Sequence, residues 1–484
     1  MISRIGPFVI ALILALSLGY FSIQRFALET LLDKNPSPDQ LLAMDQLTRT
    51  NSIVPADLGR FFQYSTEAFD LDRATGYYLA SLSRDPYDAG VWVDLSRAYD
   101  SQGKVDQARL ALKNATLAAP SSTAVHWAYA NFLIRNRSLL DPQGSAAAQT
   151  RLGDEEGTTQ NVDVPGNRSP STFQQEFLSE LKRSVDLNST MLNAALDLSI
   201  HAGMDTPRVA GLVVPMKLDD QLWALGYFAQ KREWEAASVA WNNLVSHFAP
   251  DALANSRRPA LTMEKTVPYI NMLIAAGRVD EATEAWNTGL RLTHYLEGSA
   301  SRAEMRNPLS LAEIGGDPDS LNNLLFNYAF QRPTLNGGFD WVVQSISGVT
   351  VQIDRQVFLK NHRSLLIDFL GKGNVDYAGL VQYVPVRPDQ QYEFVALVKS
   401  EGLTTDEGPR FELYDYAKPA LMVQSPQVLG DHDWFELRAT MDAGPDTHLL
   451  AVRLRRAASQ KFDNLIQGRL WIDHVELRAV SPAG

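Results

Sequence analysis

Two hydrophobic periods divide this chain. As far as about residue 300 the apolar side chains recur at three- and four-residue intervals, as in amphipathic helices; beyond it they alternate with polar ones, as in strands with one covered face. Within the helical part the pattern itself repeats. In "VWVDLSRAYDSQGKVDQARLALKNATLAAP" the residues Trp92, Leu95, Tyr99, Gly103, Ala108, Leu112, Ala115 and Pro120 spell a helix, a glycine turn, a second helix and a proline stop. Ala74, Tyr78, Ser81 and Pro86 stand 34 residues before Ala108, Leu112, Ala115 and Pro120. The alanines fall where two helices must approach closely, and the aromatics where grooves need filling.

That period and those residues resemble the tetratricopeptide repeat (TPR), a helix pair that stacks on copies of itself and leaves a concave surface for a partner. Two units occupy about 55–121. A third opens at "STAVHWAYANFLIRN", with Trp127, Ala130, Leu133 and Ile134 on one stripe, and is interrupted by residues 141–170, a turn-rich segment that reads as a loop insertion. Helical spacing resumes with Phe177, Leu181 and Val185. Two looser units carry Phe228, Ala237, Trp241 and Leu244, then Leu273, Gly277, Ala282 and Trp286. The array is expected to span 55–300. The resemblance places partner contacts on the first helix of each unit, at Asp94, Arg97, Asp100 and Asn131.

Residues 301–321 carry a linker composition, and eight strand-like runs follow over 322–480, which predicts a β-sandwich of jelly-roll type. The stretch "LNGGFDW" ending in Trp341, the residues Gln382, Val384 and Val386 with a Pro388–Tyr392 corner, and the closing "LWIDHVEL" resemble galactose-binding-like carbohydrate-binding modules. That resemblance implies core positions for Trp341, Trp434 and Trp471, and a sugar platform built from exposed aromatics, for which Tyr377, Tyr383 and Tyr414 are the candidates. It also implies a structural calcium held by an early loop and a late carboxylate. Asp473 matches the carboxylate, whereas Gln331 stands where the family often has glutamate. If Gln382, Val384 and Val386 share a strand face, Tyr383 points to the other. That second face is then either a ligand groove or a surface docked on the helical array.

Composition narrows the functions. The 484 residues carry a net charge of -12 with a pI near 5.2, which argues against a general nucleic-acid binder. There is no cysteine, hence no disulfide framework, thiolate metal site or cysteine nucleophile. No spaced histidine pair, nucleophile elbow or phosphate loop is present, so the chain is expected not to be an enzyme. From Ile5 to Ile23 it is apolar and uncharged between Arg4 and Arg25, about 28 Å as a helix and so of membrane-spanning length. A signal anchor over residues 1–27 with a cytoplasmic N-terminus, followed by a stalk over 28–54, is the favoured reading. A cleaved signal peptide, with Ser17 and Gly19 as its small pair, is the rival.

The expected architecture is multidomain, α then β: an N-terminal membrane helix, a TPR-type α-solenoid and a C-terminal jelly-roll β-sandwich. It resembles the accessory TPR proteins of bacterial exopolysaccharide or O-antigen assembly. That likeness implies a non-catalytic scaffold in the inner membrane with its bulk in the periplasm, partnered by proteins of a polysaccharide machinery. The alternatives are a glycan-binding protein with a helical spacer, and a purely structural subunit of an envelope complex.

Overall fold

A computed structural model describes residues 12–20, 22–23, 26, 37–47, 50–142, 172–250, 260–295, 323–360, 362–461 and 464–480. It divides into two compact units, residues 1–215 and 216–484. The division therefore falls inside the stretch of helical periodicity, not at its end. The 141–170 insertion and the 301–321 linker lie outside the described residues, apart from Asp141 and Pro142.

The first unit is helical: α1 (Pro38–Leu47), α2 (Ile53–Tyr64), α3 (Leu71–Arg84), α4 (Ala89–Ser101), α5 (Val105–Ala118), α6 (Thr123–Arg135), α7 (Arg137–Leu140), α8 (Thr172–Leu187), a 3-10 turn (Ser189–Met191), α9 (Leu192–His201) and α10 (Thr206–Leu212). Helix α2 pairs with α3, and α4 with α5; α6 finds its partner in α8, on the far side of the insertion. Aspartates start two of these helices, since Asp70 accepts from the Arg73 amide and Asp88 from the Val91 amide. The alanines of the repeat, Ala74, Ala108 and Ala115, are fully buried where the helices meet. Gly59 is another such point. A β-carbon there would lie 2.6 Å from the Tyr78 ring, whose hydroxyl donates to Gln63 Oε1 at 2.6 Å.

The stalk expected over 28–54 is partly helix. Leu41 and Met44 of α1 are buried in the same core as Val54, Leu58 and Tyr78, so α1 belongs to the packed array. Of the apolar segment 5–23, residues 12–20 are helical, while residues 5–11 lie outside the described residues. Among the described residues no helix is long and apolar enough to cross a membrane.

The second unit opens with two helix pairs, α11 (Leu218–Gln230) with α12 (Trp234–His247), and α13 (Met263–Ala275) with α14 (Val279–Leu292). Gly277 turns the second pair at φ +73°, as Gly103 turns α4 into α5 at φ +71°. In the first pair Arg232 holds that left-handed position, at φ +62°.

The described residues of the β-domain form ten strands: β1 (Val342–Val343), β2 (Val349–Asp354), β3 (Ser364–Leu370), β4 (Tyr377–Pro385), β5 (Gln391–Thr404), β6 (Arg410–Asp415), β7 (Met422–Gln424), β8 (His432–Asp442), β9 (Leu449–Arg456) and β10 (Gln467–Ala479). They form two five-stranded antiparallel sheets, ordered β1-β4-β9-β6-β7 and β2-β3-β10-β5-β8. One core between them holds Phe394, Phe411, Leu413, Val452, Leu454, Ile472 and their neighbours. Trp341 and Trp471 are buried as the resemblance implied; Trp434 is half-buried. The Pro388–Tyr392 corner is present, with the Tyr392 hydroxyl accepting from the Arg387 amide and donating to the Arg387 carbonyl.

The stretch that opens the β-domain packs on the last helix pair. Trp286 of α14 is fully buried, edge-on to Phe326 and Phe339 at centroid distances of 5.2 and 5.7 Å. Gly338, at φ +60°, lies against its ring, and the Gly338 amide donates to Asn271 Oδ1 of α13 at 2.7 Å. Gly337 sits equally close to Val267 and Asn271. The two glycines of "LNGGFDW" are thus the flat surface that a helical repeat needs.

Candidate functional site

Helices α2, α4 and α6 occupy equivalent places in successive units and line one groove. Its open space is about 700 Å³, and among its walls are Gln63, Tyr64, Arg97, Asp100, Trp127 and Asn131. The repeat explains the alignment. Gln63, Arg97 and Asn131 are 34 residues apart, as are Gly59, Val93 and Trp127, so each set forms a row across the helices.

Of the four residues expected to face a partner, Arg97, Asp100 and Asn131 line this groove. Asp94 does not. It is 8% exposed and lies beneath, its carboxylate accepting from Arg60 Nε at 2.8 Å and from Arg97 at 3.1 Å. Its role is to hold two guanidiniums in place. For Arg60, burial works to lower the pKa, but the hydrogen bond and charge of Asp94 outweigh it and hold the guanidinium above its ordinary value. Asp100 accepts from Nε and an Nη of Arg135 and from the Asn136 amide. Gln63, Tyr64, Trp127 and Arg135 were missed as site residues. Stepping one repeat either way from Arg97 would have found Gln63, and one step from Val93 reaches Trp127.

The second candidate surface is the outer face of the β1-β4-β9-β6-β7 sheet. Register sets Tyr383 of β4 beside Ala451 of β9, and Ala451 beside Tyr414 of β6. Ala451 is fully buried between the two tyrosines, which are themselves half-buried. The next row places Val381, Arg453, Glu412 and Gln424 side by side. Arg453 lies over the Tyr414 ring, 4.8 Å from its centroid, and binds Glu412, which also accepts from Gln424 at 3.1 Å. Tyr383 is half-buried against Tyr416, ring edge to ring face at 5.1 Å, and burial raises its phenol pKa.

Two expected site residues lie elsewhere. Tyr377 is no platform: it is fully buried between the sheets, donates to the Gln344 carbonyl, and packs edge-on against Phe369. Strict alternation along β4 would set Tyr377 on the outer face with Tyr383, but the shift in pairing between Tyr377 and Leu380 turns it inward. Asp473, the proposed calcium carboxylate, is buried and accepts the Leu359 and Lys360 amides, so its charge fastens the loop after β2 to β10. Among the described residues no group of three or more His, Asp or Glu side chains is placed to hold a metal ion.

The tetratricopeptide repeat family matches residues 65–132, which run from the end of α2 into α6. No curated protein matches. Solved structures similar in part include tailspike protein 4 of bacteriophage CBA120, at 12% identity over 33% of this chain and 22% of that one, with a TM-score of 0.24. The xylan-binding domain from Paenibacillus barcinonensis is similar at 19% identity over 34% of this chain and 97% of its own, with a TM-score of 0.22. YrrB, a TPR protein with an unusual peptide-binding site, is similar at 11% identity over 54% of this chain and 100% of its own, with a TM-score of 0.23. Scores this low leave the fold to be argued from the strands and helices themselves.

Proposed function

We propose that this chain is a non-catalytic scaffold whose helical groove holds an extended segment of a protein partner. The observation that supports it most directly is the groove across α2, α4 and α6, with aromatic faces at Tyr64 and Trp127 and polar side chains repeated at 63, 97 and 131. Such a ladder suits a peptide laid across the helices, with one set of contacts per unit. Peptide display on the full-length chain tests it. Selected peptides should lose at least tenfold in affinity on Trp127→Ala together with Asn131→Ala. Peptides that bind this folded double variant as tightly as the parent would place the interaction elsewhere.

The setting we propose is the bacterial inner membrane, with residues 5–23 as the anchor and polysaccharide assembly or export as the process. This rests on the apolar segment and on the resemblance of the two-part architecture. Carbonate extraction of membranes, with sequencing of the mature N-terminus, checks the anchor; a soluble product starting near Tyr20 would replace it with a secreted protein.

A second reading has its own observation, the half-buried Tyr383 and Tyr414 that flank Ala451 on the outer face of the sheet. Tyrosine faces flanked by a guanidinium, a carboxylate and an amide suit the alternating apolar and hydroxyl edges of a sugar. Titration of neutral oligosaccharides into the full-length protein, wild type against Tyr383→Ala, decides it. An affinity loss of about 1–2 kcal/mol without a change in melting supports a sugar contact at Tyr383; destabilisation with no wild-type sugar binding ends that reading.

A further inference from the structure

The exposed charged edges of the groove are opposite in sign to the chain around it. Over all 484 residues the net charge is -12, yet among the described residues the charged walls of the groove are Arg97, Arg135 and a single carboxylate, Asp100. That carboxylate is already taken: Oδ2 accepts twice from Arg135 and Oδ1 accepts from Asn136. Depth sharpens the contrast. The side chains of Arg97 and Arg135 are 54% and 61% exposed, while Asp94 and Asp100, which hold them, are 12% and 18% exposed. Their carboxylates sit below and the guanidinium edges above, so an incoming chain meets cations first. Positioned guanidiniums of this kind suit carboxylates, because the fork of N–H groups stays partly free and pre-oriented.

We propose that the groove selects an acidic peptide segment, with its carboxylates on Arg97 and Arg135 and an apolar side chain on Trp127. This rests on the proposed function and names the chemistry of its partner. Long-range repulsion from the acidic surface screens within about 8 Å at physiological salt, so the local cations decide recognition at contact while salt sets its strength.

The test uses fluorescein-labelled 12-residue peptides and the full-length protein, read by anisotropy. One peptide alternates glutamate with leucine, a second carries glutamine for every glutamate, and a third carries lysine. The glutamate peptide should bind at least tenfold tighter than the glutamine peptide at 50 mM salt, and the advantage should shrink as salt rises. Arg97→Gln with Arg135→Gln should remove the advantage, so that the glutamate and glutamine peptides bind this variant within about twofold of each other. If glutamine and glutamate peptides bind alike, and both are lost with Trp127→Ala, the acidic preference is wrong and the peptide groove stands. If the display selects no peptide and none of the three labelled peptides binds, both readings fall. Polygalacturonate that displaces the glutamate peptide at equal charge concentration would overturn the proposal in favour of an acidic polysaccharide.

Discussion

Adding one methyl group at Gly338 should loosen the β-domain from the helix pair before it, and the size of the effect can be separated into parts. Gly338 has φ +60°, and a β-carbon there would stand 2.4 Å from Cζ3 of the buried Trp286. Gly277, in the same unit, has φ +73° but nothing within 4 Å of the position a β-carbon would take. Alanine at Gly277 therefore meets only the left-handed backbone, a destabilisation of about 1–2 kcal/mol. Alanine at Gly338 meets that same strain and an overpacked ring, which adds roughly 1–3 kcal/mol. Restriction of the unfolded chain by the new side chain favours both variants equally and cancels in the comparison. Urea titration followed by fluorescence, with hydrogen exchange over residues 326–341, measures the two. Gly338→Ala should lose about 2–5 kcal/mol in the transition of the second unit, and exchange in that stretch should quicken. If the two variants agree within about 0.5 kcal/mol, Trp286 does not press on Gly338 and the packing described above is wrong.

Arg232→Gly should stabilise the second unit by up to about 1 kcal/mol, because it relieves a left-handed arginine at a turn where Gly277 and Gly103 stand in sister units; a lower urea midpoint would count against the strain. Burial pushes the Asp340 carboxyl up to about 7, against the Leu335 and Trp341 amides and Asn327, which favour its charged form. Its folded pKa lies above its unfolded one, so the folded state holds a proton that the unfolded state releases between about pH 4 and pH 7. Stability of the second unit should therefore fall as pH rises through that window and level off above pH 7. Asp340→Asn should flatten this slope in urea titrations at pH 5 and pH 7.5, and an unchanged slope would assign it to other groups.

The helical half was legible because its period is local. Small residues recurring after 34 positions, with a glycine turn and a proline stop, state where helices touch without knowledge of anything distant, and Ala74 and Ala108, like Ser81 and Ala115, are buried accordingly. Alternation likewise announced a sandwich, since strand faces are set by the pleat alone. From the repeat, Arg97, Asp100 and Asn131 could be placed on a groove before any coordinates.

Other features needed long-range contacts. Asp94 and Arg97 share a helix face by spacing, but which of them is exposed depends on Arg60, a full repeat away, reaching over to Asp94. Tyr377 and Tyr383 lie on one strand, and a pairing irregularity between them puts one in the core and the other on the outer face. Asp473 matches a calcium module's late carboxylate by sequence, and only the fold brings the distant Leu359 and Lys360 amides onto its Oδ2. The "LNGGFDW" glycines pointed to a module's opening motif, and only the folded chain set Trp286 against them. Sequence determined the repeating helices and the alternating strands, because those are written in neighbouring side chains. Tertiary structure decided which polar groups stay free for a partner, because each buried carboxylate takes its donors from wherever the fold brings them.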